Sequence, residues 1–213
     1  MGDPLSYWHK GRLYKDSYPY TDELAKCMDE IGLLGDVVNL TKNARSNAEA
    51  LTESYNFLRD YFLNSIGIDY LLLMSADIII PSFLIEKLYQ LNADIAIPLI
   101  PHRGLTPTVF YVYDFQNEKS PIYPYADPQF LLKQREPFIV DGGSTACMMI
   151  KKRVLETILF KNTASEGIDP AIWFSKEVTN QGFKIWCDPS LRVGHLDEDG
   201  RIYTAEGIVI VHL

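Results

Sequence analysis

The sequence of 213 residues predicts one α/β domain, a mostly parallel central sheet with helices on both faces. Three observations lead there. Residues 70–74 and 95–100 are unbroken apolar runs too short for ordinary helices, so they read as strands covered on both sides. Helical patterns lie before and between them, beginning near Ser46 and again at 82–91. A strand–helix–strand alternation needs crossover connections, and these make the joined strands parallel.

In chain order, residues 1–21 are rich in Tyr, Pro, Gly and charge without a usable period and read as irregular. A helix follows over 22–31, punctuated by Gly32 and Gly35, and Val37-Val38 marks a short strand within 36–40. Ser46 and Glu49 have the spacing of a capping box, in which each side chain satisfies a free backbone N–H at a helix start. Leu51, Tyr55, Leu58, Tyr61 and Phe62 then recur at helical spacing until Gly67 breaks the pattern. Residues 101–137 carry several prolines and aromatics around a strand at 109–115, a long excursion of the kind that is often functional. A strand at 146–150 and a helix at 152–160 follow. Asp169 as N-cap and Pro170 at the first position open a helix over 170–181. Strands at 184–188 and 191–194 lead to His195, and the tail, 196–213, holds one more strand at 208–211.

The formal net charge is −8, and the longest basic run is Lys151-Lys152-Arg153. Nucleic-acid binding through a broad basic face is excluded, because counterion release needs many clustered cations. Cys27, Cys147 and Cys187 are odd in number and scattered, which predicts neither a disulfide framework nor a structural zinc. The greasiest stretch, 70–81, is interrupted by Ser75 and Asp77 and is too short to span a bilayer. With no charged-then-apolar leader at the start, the expectation is a cytoplasmic protein without a transmembrane segment.

The chemistry concentrates in two segments. In the first, the strand at 70–74 ends in Ser75-Ala76-Asp77, and ligands of open α/β sheets bind at the carboxyl ends of strands. There Asp77 either holds a hard cation that bridges to diphosphate oxygens or caps the next turn. The second runs from Trp173-Phe174 through Gln181-Gly182-Phe183-Lys184-Ile185-Trp186 to Val193-Gly194-His195. His195 at a strand end is either a metal ligand or a structural histidine with both nitrogens satisfied.

Together these segments resemble the GT-A glycosyltransferases, in particular their family 2. Further pieces in the same order are Ala44-Arg45-Ser46-Asn47 before the long helix and Asp141-Gly142-Gly143 leading into Lys151-Lys152-Arg153. The resemblance spans about residues 36–196 and implies a single GT-A-like, Rossmann-like domain over 1–213. It implies Mn²⁺ or Mg²⁺ held by Asp77 and His195, with Arg45, Asn47, Ser75, Asp77 and Asp141 around a nucleotide-sugar donor. Residue by residue, Arg45 is alternatively a solvated surface charge and Asp141 a turn aspartate beside glycines. Asp169, near the family's catalytic acid, is the candidate base for the acceptor hydroxyl; as a residue it is also a good N-cap. Trp173 either stacks on an acceptor sugar or packs in the core.

The expected activity is metal-assisted, inverting transfer of a sugar from a nucleotide sugar to a hydroxyl of a glycan, lipid or protein. The triplet lacks the first carboxylate of the family's Asp-x-Asp, and the acidic motif is displaced to Asp169. These departures define the alternative, a non-catalytic domain that binds a nucleotide or glycan. A nucleotidyltransferase would show a Gly-rich basic loop near the N-terminus, and residues 1–40 have none.

Overall fold

The elements of the computed structural model follow in chain order. Strands β1 (Leu5–Trp8) and β2 (Val37–Leu40) precede helix α1 (Asn47–Asn64). Next come β3 (Tyr70–Met74), β4 (Ile78–Ile79), α2 (Leu84–Gln90) and β5 (Ile95–Leu99). The 101–137 segment contributes β6 (Val112–Tyr113) and α3 (Pro128–Lys133), and β7 (Phe138–Val140) and β8 (Gly142–Gly143) follow it. Then come β9 (Cys147–Lys151), α4 (Lys152–Thr157), α5 (Pro170–Asn180) and β10 (Ile185–Arg192). Strands β11 (Gly194–Leu196), β12 (Arg201–Thr204) and β13 (Gly207–Ile210) end the chain. The structure describes residues 5–8, 37–40, 47–75, 77–105, 109–115, 125–161, 168–197 and 201–210; the expected helix over 22–31 lies outside them.

The central sheet has the order β3-β9-β5-β10-β7. Side chains of successive strand residues point to opposite faces, and here each face has its own core. Leu73, Ile95, Ile97, Leu99, Met148, Ile150, Ile185 and Cys187 face α1, α4 and α5, meeting Phe62, Leu155, Phe174 and Val178. Ala96, Cys147 and Met149 face the other way, toward Leu84, Ile85 and Leu88 of α2. Full burial of a Leu or Ile side chain is worth about 1.5–3 kcal/mol. Helix α2 has 7 residues, too few to stand alone in water, so its docked face holds it in place. The fold is α/β, with helices on both faces of the sheet.

The mostly parallel arrangement is corrected. Strands β5 and β10 pair in parallel, but β9 lies antiparallel between β3 and β5, and β7 runs antiparallel to β10 at the edge. Helix α2 crosses between β3 and β5 and makes that pair co-directional. The excursion after β5 returns the chain to the end of the sheet it left, with Cys147 opposite Met74, so β9 enters reversed. An apolar run such as 147–150 carries no mark of its direction.

Other differences are local. Leu5–Trp8, within the segment read as irregular, pairs antiparallel with β2. The two strands expected at 184–188 and 191–194 are one strand, β10, with a register irregularity between Asp188 and Arg192 on its β5 side. A second sheet, β13-β12-β11-β4, is antiparallel throughout.

Side-chain hydrogen bonds tie α1 to α4 and to the segment after it. The Asn56 amide donates to the Phe160 carbonyl (2.7 Å) and accepts from the Phe160 N–H (2.9 Å), and Arg59 Nε donates to the Leu155 carbonyl (2.7 Å). Phe160 then stacks on Phe174 of α5, ring centroids 4.2 Å apart. Phe174 is fully buried, so Phe174→Ala is expected to cost about 3–5 kcal/mol in a denaturant melt. Cys147 and Cys187 are free and buried, which pushes both thiols up, Cys147 to about 12. Among the described residues no helix is long and apolar enough to cross a membrane.

Candidate functional site

After β3 the chain turns through Ser75 and Asp77 into β4. Ser75 N–H donates to the Ala146 carbonyl (2.8 Å), and its own carbonyl accepts from Ile78 N–H (3.2 Å). Strand β4 pairs antiparallel with β11, Ile79 opposite Gly194 and Ile78 opposite His195. One more backbone bond, from Leu196 N–H to the Asp77 carbonyl (2.8 Å), carries the pairing to Asp77 itself. Gly194 is needed in that ladder, because a Cβ there would lie 2.9 Å from the Ile202 side chain and 3.3 Å from Ile79.

This pairing sets His195 Nε2 3.3 Å from Asp77 Oδ2. His195 is buried, and its Nδ1 lies 2.9 Å from the Pro101 carbonyl oxygen. A carbonyl only accepts, so Nδ1 carries the hydrogen and donates. Nε2 is left facing a carboxylate oxygen, and two lone pairs do not attract. A positive charge must bridge them, either a proton on Nε2 or a metal ion.

Arg103 stands beside the pair. Its NH1 lies 3.2 Å from the same oxygen, Asp77 Oδ2, 3.3 Å from the Leu196 carbonyl oxygen and 4.0 Å from Asp197 Oδ1. Burial pushes the Asp77 carboxyl up, but the hydrogen bond with His195 and the positive charges at His195 and Arg103 outweigh it. The net shift is downward. The stability Asp77 contributes is therefore fully present above the ordinary carboxylate range, and is lost only as pH falls through its lowered value. His102 Nδ1 donates to the Arg103 carbonyl (2.5 Å), and its ring stacks on Tyr111 at 4.7 Å. Burial, with the positive charges of His195 and Arg103, moves His102 below its ordinary value.

A hard cation is compatible with Asp77 and His195. Two ligands at about 2.1 Å on one ion, at right angles, sit roughly 3 Å apart. Among the described residues no three His, Cys, Asp or Glu side chains are grouped to hold a metal. Two protein ligands suit an ion completed by waters and by phosphate oxygens.

The other expected residues are placed as follows. Asp169 caps α5, its Oδ1 accepting from Ala171 N–H at 2.7 Å. Its charge reaches Tyr55, as does that of Asp77; burial and these two carboxylates raise the Tyr55 hydroxyl, and Thr145 Oγ1 donates to it at 2.8 Å. Asp141 Oδ2 accepts from Phe115 N–H at 2.9 Å. The backbone beside Asp141 is not open to a ligand, since a Cβ on Gly142 would lie 2.6 Å from Ser175 Cβ and one on Gly143 2.3 Å from Ile97 Cδ1. Trp173 packs against the core, with Lys161 Nζ 5.9 Å from its ring centroid. Asn47 begins α1, and Arg45 lies outside the described residues. Arg103, His102, Asp197 and the Pro101 carbonyl were not singled out from sequence. The rule that selected Asp77, a polar residue just past a buried strand, applies equally to His102 and Arg103 after β5.

No family model matches the chain, and no curated protein matches it. One solved structure that matches is the crystal structure of A197 from STIV, a viral protein, with a TM-score of 0.59 and 15% identity, covering 90% of this chain and 87% of that one. The chain is similar in fold to A197. At that identity the likeness speaks for fold alone. The resemblance to family 2 of the GT-A glycosyltransferases is overturned: no family model carries it, the matching structure is a viral protein at low identity, and the central sheet is mixed. The residues that suggested it have local duties. Asp169 caps a helix, Gly142 and Gly143 are packed shut, and Gly194 admits Ile202.

Proposed function

We propose that the chain binds a nucleotide sugar through a divalent cation at Asp77 and His195 and transfers the sugar to an acceptor hydroxyl. One observation carries the reading: a carboxylate oxygen and a ring nitrogen face each other across 3.3 Å, with the opposite ring nitrogen committed to a carbonyl. A proton on Nε2 satisfies that arrangement, and so does a divalent cation, which is the reading proposed. Mn²⁺ or Mg²⁺ bound there supplies positive charge beside a departing nucleoside diphosphate. The protein's part is to aim His195 Nε2 through the Pro101 carbonyl and to hold Asp77 ionised beside Arg103. Asp169, whose charge shares Tyr55 with that of Asp77, takes the proton from the acceptor hydroxyl in a direct displacement at the anomeric carbon.

The capping bond from Ala171 N–H to Asp169 favours a second reading, a nucleotide- or glycan-binding domain without transfer. A carboxylate held at a helix N-terminus is stabilised as the anion and is a weaker base. UDP- and GDP-sugars titrated with and without Mn²⁺, followed by thermal shift, test the shared part of both. A rise in melting temperature that needs Mn²⁺ and nucleotide sugar together is expected. No response to any nucleotide sugar in Mn²⁺ would overturn the nucleotide-sugar reading.

A further inference from the structure

We infer that Arg103 is the anion-binding residue of this site and that, before a metal binds, it is the internal cation a metal must displace. The inference rests on the reading above, in which Asp77 and His195 hold the ion. Its starting point is one crowded atom. Asp77 Oδ2 faces both His195 Nε2 at 3.3 Å and Arg103 NH1 at 3.2 Å. An ion on the His195 side of that oxygen brings a divalent charge close to a guanidinium, at a separation where like charges repel strongly even when partly solvated. Arg103 must then swing away.

The surroundings allow that movement. The Arg103 side chain is 38% exposed, and its other polar contacts among the described residues are long, 3.3 Å to the Leu196 carbonyl and 4.0 Å to Asp197. The backbone beneath it is held: His102 donates to the Arg103 carbonyl, and Gly104 follows with φ +75°. The base of the side chain is thus anchored while its tip is free to exchange partners.

The charges specify the new partner. In the empty site Asp77 and Asp197 already face the Arg103 guanidinium, so it is not available to phosphate. A divalent ion takes over Asp77 Oδ2 and releases a fork of N–H donors shaped for paired phosphate oxygens. The ligand class is a diphosphate bound to the ion and to Arg103 together, and cation and anion bind cooperatively through the exchange at Asp77 Oδ2.

The test uses wild type, Arg103→Gln and Arg103→Lys, all of the full chain. Mn²⁺ alone is titrated by the loss of its free electron-spin-resonance signal, and a premixed Mn²⁺–pyrophosphate solution is titrated by calorimetry. Arg103→Gln is expected to bind Mn²⁺ alone about tenfold more tightly and Mn²⁺–pyrophosphate about tenfold more weakly, each near 1.4 kcal/mol. Arg103→Lys keeps the charge and loses the fork, so its Mn²⁺ affinity should stay near wild type while pyrophosphate affinity falls. A merely structural arginine would shift both affinities the same way. Weaker Mn²⁺ binding in Arg103→Gln, or unchanged pyrophosphate affinity, overturns the role of Arg103 and leaves the Asp77–His195 cation reading standing if wild type binds Mn²⁺. No Mn²⁺ binding in wild type overturns both. Should Arg103→Gln fail to fold, Arg103→Lys decides: pyrophosphate affinity equal to wild type refutes the inference.

Discussion

Asp169→Asn is expected to lower transfer to the acceptor by about two to four orders of magnitude, the usual worth of a general base. The melting temperature should barely move. The cap on α5 is one bond from Ala171 N–H to Asp169 Oδ1, and the Asn side-chain oxygen accepts the same bond. Binding of the nucleotide sugar should survive, because the base acts on the acceptor and not on the diphosphate. Asp169→Ala separates the two duties of the residue, since it also removes the cap and should cost on the order of 1 kcal/mol in a melt. Both variants are run in a transfer assay and in a melt. Full transfer by the Asn variant would leave Asp169 a helix cap and nothing more.

The second large effect is expected at Asp77. Asp77→Ala should abolish the Mn²⁺-dependent part of nucleotide-sugar binding, because it removes the only carboxylate 3.3 Å from His195 Nε2 among the described residues. Its cost in stability should be small by comparison. The Asp77 side chain is 34% exposed, and ion pairs that open to water contribute little. The bond from Leu196 N–H is to the Asp77 carbonyl and survives in alanine, so the β4–β11 pairing persists. Thermal shift with and without Mn²⁺ and nucleotide sugar checks both parts. A large drop in melting temperature with an intact Mn²⁺ response would make Asp77 a structural residue.

The elements were legible wherever one side chain after another repeats a local demand. Leu71 to Met74 and Ile95 to Leu99 are apolar at every position because both sheet faces are covered. The cap at Asp169 was legible because Asp-Pro at a helix start satisfies backbone groups two residues away. What Gly142 and Gly143 make room for was not legible, since a glycine pair reads the same whether it admits a ligand or, as here, Ser175 and Ile97.

By itself, then, the sequence determined that this is an α/β chain, where most of its buried strands and helices lie, and that a polar turn with one carboxylate follows β3. Those properties depend on neighbours within a few residues, which the order of side chains specifies directly. Only the tertiary structure decided that β9 runs against β3 and β5, because direction is set by where a loop returns the chain and not by the run's composition. The resemblance implied that Asp77 and His195 meet; the structure showed how, through the pairing of β4 with β11, which sets them 3.3 Å apart across 118 residues. The structure alone brought Arg103 to the same oxygen, because a charge at 103 meets one at 77 only where two strand ends converge.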